Sequence, residues 1–393
     1  MSFQPLAGMR VVDLTSSLAG PTCTETLAAL GADVVKVEHP GRGDEARAWG
    51  PRFFEGGSVM FFAANRSKRS LALDLKDPDG HDVLLRLVDR ADVFVQSLRA
   101  GTAERLGLGP AALRARNERL VTCSIEAFGR SGPLAGEPGY DPLMQAFAGI
   151  VSITGEADRP GVRVGASLID IGTGVWAALG ILAALLERRD TGRGRDVGVA
   201  LFDTALSLVG YQLTAALASG VAPGRHGTAF PLIAPYEVFE TVDGGLMIAA
   251  ANDGLFRLLC ERIGLPELAD DPRFATNPDR LANRAALLPP IRDRLRAESS
   301  AHWLEVLNGI PVAPVQDLVE VGAHPQTRES GMLGEVGGFE SVLPPVRFDG
   351  RRLDHDEAPP LLGRDTREVL AELGYADDEI AALVERGVVA SPA

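Results

Sequence analysis

The sequence predicts an α/β protein built on a parallel sheet, followed by a second, smaller α+β unit. Three observations carry this. Short apolar strand-like segments alternate with helix-like ones over the first 126 residues. Repeated β-α-β units of that kind imply parallel strands with helices on both faces. The texture then changes at Ser219–Pro231, rich in Gly, Pro and Ala, and a hairpin signal follows at Asp243-Gly244-Gly245. Finally, 393 residues at about 150 per domain give two or three domains.

The elements follow in order. Met9–Leu14 and Asp33–Glu38 read as strands, with a helix from Thr22 to Leu30 that stops at Gly31. Ser70–Asp74 is a third strand. A helix over Pro78–Arg90 buries Leu84, Leu85 and Leu87. Val93–Gln96 and Leu120–Ile125 are further strands, with Pro110–Arg116 helical between them. Gly172–Arg188 is apolar on all sides, so it belongs at a core or a subunit contact. Arg195–Ala200 reads as a strand and Phe202–Leu217 as one buried helix. Tyr236–Glu240 and Leu246–Ala250 form the hairpin, and helices follow at Asp253–Ile263, Arg280–Arg296 and Ala301–Leu307. Two amphipathic helices, Arg364–Leu373 and Asp377–Glu385, close the chain. The expected boundaries are 1–218 for the first part of a large domain, 219–232 for a linker, 233–320 for the small domain, and 321–393 for the return to the large domain.

Composition narrows the function. Lys+Arg number 39 against 53 Asp+Glu, a net charge of −14. A net negative body repels phosphate, so neither nucleic acid nor an anionic membrane is the expected partner. Three cysteines, Cys23, Cys123 and Cys260, lie far apart with no CxxC, which argues against a disulfide scaffold or a zinc site. The six histidines show no metal-ligand spacing. The N-terminus lacks a basic start before an apolar run, and the run Val175–Leu186 is shorter than the roughly 20 residues of a membrane span. The expected setting is soluble, reducing and cytoplasmic.

Candidate chemistry begins after the first strand. Ser16-Ser17-Leu18-Ala19-Gly20-Pro21 contains neither GxGxxG nor GxxxxGK[ST], so the usual dinucleotide fingerprint is missing. Asp170 sits between two isoleucines, just before Gly172, Gly174 and the apolar helix. The plain structural reading is a helix N-cap. The sharper one is a partly desolvated nucleophile, with glycines that let a bulky substrate approach. Tyr140-Asp141 follows a Gly- and Pro-rich loop. Asp141 before Pro142 reads as a helix start, and Tyr140 as a pocket residue. Arg42, Arg66, Lys68, Arg69, Lys76, Arg99 and Arg105 flank the strands; their plain reading is a solvated surface, and a few together would suit phosphates.

These pieces, taken in order, resemble a known family. Leu6-x-Gly8-x-x-Val11-Val12-Asp13-Leu14 leads to Ala19-Gly20-Pro21. Leu30-Gly31-Ala32-Asp33-Val34-Val35-Lys36-Val37-Glu38 follows, with Gly43-Asp44, and then Asn65-Arg66-x-Lys68-Arg69-Ser70. Arg105-Leu106-Gly107-Leu108, Gly139-Tyr140-Asp141, Asp170-x-x-x-Gly174 and Pro359-Pro360-Leu361-Leu362-Gly363 complete the series. Each motif is weak alone; the ordered set is similar to the family III CoA-transferases, the formyl-CoA transferase and carnitine CoA-transferase group.

The resemblance implies a Rossmann-like large domain made from both chain ends, a small domain between, and two ring-shaped subunits interlocked as a homodimer. It implies Asp170 as the nucleophile, through mixed anhydrides and an aspartyl-CoA thioester. Coenzyme A and acyl-CoA are then substrates, a small carboxylic acid is the acceptor, and no permanently bound cofactor or metal is expected. Its CoA contacts fall on Ala19, His39, Leu73, Lys76, Ser97, Leu98 and Arg105, and its substrate pocket on Ser16, Leu18 and Tyr140, with Phe230 as a further apolar candidate. The chain departs from the pattern at His39 (often Arg), Ser97-Leu98 (often Asn-Phe), Glu126 (Lys in formyl-CoA transferase) and Leu18 (Gln there). An α-methylacyl-CoA racemase of the same fold is the alternative reading. It needs an acid and a base on opposite faces of the substrate, and Tyr140 stands where racemases carry His. A silent CoA-binding protein, which needs no Asp170, is the other.

Overall fold

The computed structural model describes residues 3–50, 55–353 and 357–392. The chain separates into two compact units. The first comprises Met1–Ile150, Val164–Ser219 and Gln326–Ala393; the second comprises Val151–Arg163 and Gly220–Pro325.

The first unit is built on a seven-stranded sheet. Its strands are β1 (Arg10–Leu14), β2 (Asp33–Glu38), β3 (Arg69–Leu73), β4 (Val93–Gln96), β5 (Val121–Glu126) and β6 (Asp196–Ala200), with a short edge strand at Val389–Ala390. Across the sheet they run β3-β2-β1-β4-β5-β6, all parallel, and the Val389–Ala390 strand joins antiparallel beside β3. The order reverses between β1 and β4. In open α/β sheets, ligands bind outside the carboxyl ends of the strands at such a reversal.

The period of two in each strand separates its faces. Val12 and Leu14 of β1 join Val35, Val37, Leu71, Leu73 and Phe94 in a core covered by Val83, Leu84 and Val88 of the Pro78–Asp89 helix and by Val369, Leu370 and Ile380 of the tail. On the other face lie α1 (Ala19–Ala29) and a long helix, Leu168–Thr191, which pack on each other; α1 touches β1, β2 and β4, and the long helix touches β5 and β6. The three cysteines are free and buried.

The second unit holds a three-stranded antiparallel sheet of Tyr236–Glu240, Gly245–Ala249 and Val312–Pro314. Its core gathers Phe239, Phe256, Phe274 and Trp303. Val151–Arg163, which the sequence boundaries put in the large domain, belongs to this unit. The reason is Arg225: its guanidinium donates to the carbonyls of Ser152, Glu156, Ala157 and Arg159. A four-carbonyl clamp of this kind leaves no apolar or periodic trace in the sequence.

Three helix expectations need correction; the segment read as one helix over Arg280–Arg296 is two, Asn277–Ala282 and Arg284–Leu295, separated at Asn283. The segment read as one helix over Phe202–Leu217 is two, Leu201–Leu208 and Gly210–Ser219, bent by 72°. The long helix starts at Leu168 rather than Gly172 and runs 24 residues. By length and composition it could cross a membrane, as could the bent pair counted as one.

Candidate active site

The expected site residues come from loops at the carboxyl edge of the sheet. Ser16, Leu18 and Ala19 follow β1, His39 follows β2, Lys76 follows β3, and Ser97, Leu98 and Arg105 follow β4. At the reversal of strand order the two sides touch: the Ser16 amide donates to Ser97 Oγ at 3.1 Å. Beside it a cleft of about 350 Å³ is lined by Leu98, Arg99, Glu104, Glu126 and Arg130, among others.

The structure sorts the basic candidates. Arg66 is buried against Glu25, Lys68 against Asp13, and Arg69 bridges Asp33 and Glu372. These three are committed to the fold. Arg42, Lys76, Arg99 and Arg105 are exposed. His39 is also exposed, and its Nδ1 accepts from the Gly41 amide at 3.0 Å. The Leu73 side chain is 1% exposed and lies in the core, because its place in β3 points it toward the Pro78–Asp89 helix. Only its backbone can meet a ligand.

Asp170 lies in the first turn of the long helix, and the N-cap is Ser167, so the plain N-cap reading does not hold. The cap comes from elsewhere. Asp141 Oδ2 accepts the amides of Ile169 at 2.8 Å and Asp170 at 3.2 Å, while Oδ1 accepts from Gln145 Nε2 at 2.6 Å. Asp141 does begin its own helix, Asp141–Phe147, but its carboxylate serves the neighbouring one. Two orphan amides are thereby satisfied by a side chain 29 positions away from the nucleophile candidate.

Electrostatics follow from this geometry. Burial, and then the charge of Asp141, push the Asp170 carboxyl up to about 7. Both effects disfavour the ionised form. A carboxyl perturbed this strongly by burial and a specific charge partner is a candidate functional group.

Gly174 sets the approach of the two helices. A Cβ there would stand 2.7 Å from the Ala19 carbonyl oxygen and 2.8 Å from Thr22 Cβ. Glycine at 174 lets α1 and the long helix close up, one turn beyond Asp170. Gly172 faces Thr204 Cγ2 at 3.1 Å in the same construction. The glycines after Asp170 therefore serve close helix packing.

Of the pocket candidates, Ser16 is exposed and Leu18 partly buried. Tyr140 is 54% exposed, with its ring edge-on to Trp49 at 6.3 Å between centroids. Phe230 belongs to the second unit. Beneath the β1–α1 loop lies a buried polar layer that the sequence reading left without a role. Asp13 accepts from Thr15, Thr24 and Lys68. Burial opposes its charge, but Lys68 and Lys36 outweigh it and bring the carboxyl down to about 2. Burial and the Lys36 charge bring Lys68 down to about 8. The only sequence signal was that Lys36, Glu38, Gly43-Asp44, Asn65 and Lys68 fall inside the ordered motifs.

The whole chain also has known counterparts. It is 41% identical to the acetyl-CoA:oxalate CoA-transferase of Acetobacter aceti, covering 91% of this chain and 93% of that protein. It is 37% identical to the succinyl-CoA:glutarate CoA-transferase of Mus musculus, covering 99% and 91%. The crystal structure of a CAIB/BAIF family protein from Brucella suis superposes with a TM-score of 0.86 at 39% identity, over 95% of this chain and all of that one. Residues 6–366 match the CoA-transferase family III as a continuous span. With strand order, loop placement and sequence all agreeing, the chain is a member of CoA-transferase family III.

Proposed function

We propose that this enzyme moves CoA from an acyl-CoA thioester to a free carboxylic acid, with Asp170 as the covalent nucleophile. The observation that carries this is the placement of Asp170: partly desolvated, in a helical turn pinned by Asp141, one turn before the contact with Ala19. A carboxylate that has shed water is a stronger nucleophile than a solvated one.

The steps balance without an added acid or base. Asp170 attacks the thioester carbonyl and the C–S bond breaks, giving a mixed anhydride and CoA thiolate. The thiolate attacks the aspartyl carbonyl, expelling the donor acid as its carboxylate and leaving an aspartyl-CoA thioester. The acceptor carboxylate attacks that carbonyl and releases the thiolate, forming a second mixed anhydride. The thiolate then attacks the acceptor carbonyl and restores Asp170. Ala19, His39, Lys76, Ser97, Leu98 and Arg105 are the CoA contacts in this reading, with Leu73 contributing backbone only; Ser16, Leu18 and Tyr140 face the acids.

The two curated relatives named above act on oxalate and glutarate, both dicarboxylic acids. We assign a dicarboxylate as acceptor here, with succinyl-CoA or acetyl-CoA as donor. A screen of acyl-CoA donors against a carboxylate panel, with mass detection of new CoA thioesters, tests the assignment. With a donor that turns over and no acceptor present, hydroxylamine should convert Asp170 to a hydroxamate within the peptide spanning Val164 to Arg188. Asp170→Ala should abolish transfer by several orders of magnitude while CoA binding and fold survive. Label on another residue, or turnover of the variant within about tenfold of the parent, would end the covalent assignment.

A further inference from the structure

A residue other than glycine held in the left-handed region requires an anchor. Ser17 has a φ of +74°, in the turn that joins β1 to α1 at the reversal of strand order. Its amide donates to Asp44 Oδ1 at 3.0 Å. The same oxygen accepts the Ala46 amide at 2.9 Å, and Oδ2 lies 2.8 Å from Lys36 Nζ. Lys36 Nζ in turn donates to the Thr15 carbonyl at 2.9 Å. One buried ion pair therefore grips the turn on both sides, by the carbonyl of Thr15 and the amide of Ser17. Neither side chain is more than 1% exposed. Asp44 is fixed from behind, since its own amide donates to Glu38 Oε1 at 3.0 Å and Glu38 pairs with Arg47.

Apolar residues of similar volume would serve stability as well as a buried ion pair does. They could not hold an exposed turn by directional bonds to its backbone. We propose that Asp44, oriented by Lys36, is a positioning residue that holds the Ser16–Leu18 turn against the reacting acyl group and the acceptor acid. This rests on the CoA-transfer reading. His39, Lys76, Leu98 and Arg105 lie on other segments, and only Ala19 and Ser97 among the CoA contacts adjoin the turn, so relaxing it should weaken acyl exchange more than CoA binding.

The test uses Asp44→Asn in the full chain. An amide offers one acceptor oxygen where the carboxylate offers two, so either Ser17 or Lys36 loses its partner. With succinyl-CoA as donor and oxalate or glutarate as acceptor, kcat/KM for the acid should fall about tenfold or more. The Kd for free CoA should change by less than about threefold, and the Ser17 amide should exchange with deuterium about tenfold faster or more. Ser17→Val leaves every ion pair in place and penalises only the left-handed φ; it should give the same split and decides the matter if Asp44→Asn does not fold. Acceptor kinetics within about threefold of the parent, or losses in acid kinetics and CoA affinity that move in step, would overturn the proposal. A parent that transfers CoA to no acid would refute the transfer reading instead. Amide exchange at Ser17, read without substrate, would still decide whether Asp44 holds the turn: unchanged exchange in Asp44→Ala, which removes both acceptor oxygens, would refute it.

Discussion

Asp141 caps the helix that carries Asp170: its Oδ2 accepts the Asp170 amide at 3.2 Å, and the two carboxylates are close enough for one charge to raise the pKa of the other. One residue thus fixes the backbone of the nucleophile candidate and adds to the effect of burial in raising its proton affinity.

The two roles separate by substitution. Asp141→Asn keeps an acceptor for the helix amides but removes the charge. The acid limb of kcat/KM should then move to lower pH than in the parent, though not to that of a free aspartate, because burial persists. Asp141→Ala removes the cap as well. It should cost about 1 kcal/mol of stability and lower kcat by up to about 100-fold, the scale of a misplaced catalytic group. Steady-state kinetics between pH 5 and 9 and thermal melts of both variants check this.

Titration of Asp170 should show in activity and stability with opposite signs. Attack needs the carboxylate, so kcat/KM should fall tenfold per pH unit below about 7 and level off above it. The folded pKa lies above the ordinary 3.8, so between about 4 and 7 the folded state binds more protons than the unfolded one. Stability from this group is then present at pH 4 and is lost as pH rises through 7. Asp170→Asn should therefore raise the melting temperature over the parent more at pH 8 than at pH 4. An equal increment at both would contradict the shifted pKa.

Gly174→Ala tests the helix contact. A methyl 2.7 Å from the Ala19 carbonyl oxygen must push α1 and the long helix apart. The expected cost is about 1–3 kcal/mol. Because Asp170 rides on the same helix, kcat should fall about tenfold or more as well. Calorimetry and single-turnover kinetics on the purified variant read both.

The long helix leaves Val175, Trp176, Leu179 and Leu186 each more than half exposed. Contiguous apolar surface of that kind marks an association site. We propose that a second copy of the chain covers it, in a dimer that does not dissociate on dilution. Light scattering from nanomolar to micromolar concentration should give one mass near twice 41.5 kDa, and Trp176→Glu should shift it toward the monomer. A monomeric parent at any of these concentrations would contradict the proposal.

The sequence alone determined the parallel sheet and the family. Strand identity is local: Val-rich segments alternating with helices state their own period, and β1, β2, β4 and β5 fall within a residue or so of where Met9–Leu14, Asp33–Glu38, Val93–Gln96 and Leu120–Ile125 were read. Asp170 stood out as a nucleophile candidate only through the ordered motifs, since its spacing alone read as a helix N-cap. What only the tertiary structure decided is which partner each polar group found. Asp141 reads locally as the start of its own helix, yet its carboxylate caps another. Arg66, Lys68 and Arg69 read as surface charge and are tied into ion pairs. Asp44 stands in the sequence only as part of a motif, yet it grips Ser17. Backbone periodicity is written in nearest neighbours, whereas a hydrogen bond or ion pair depends on which distant atoms the packed sheet brings within 3 Å or so, and no local pattern records that.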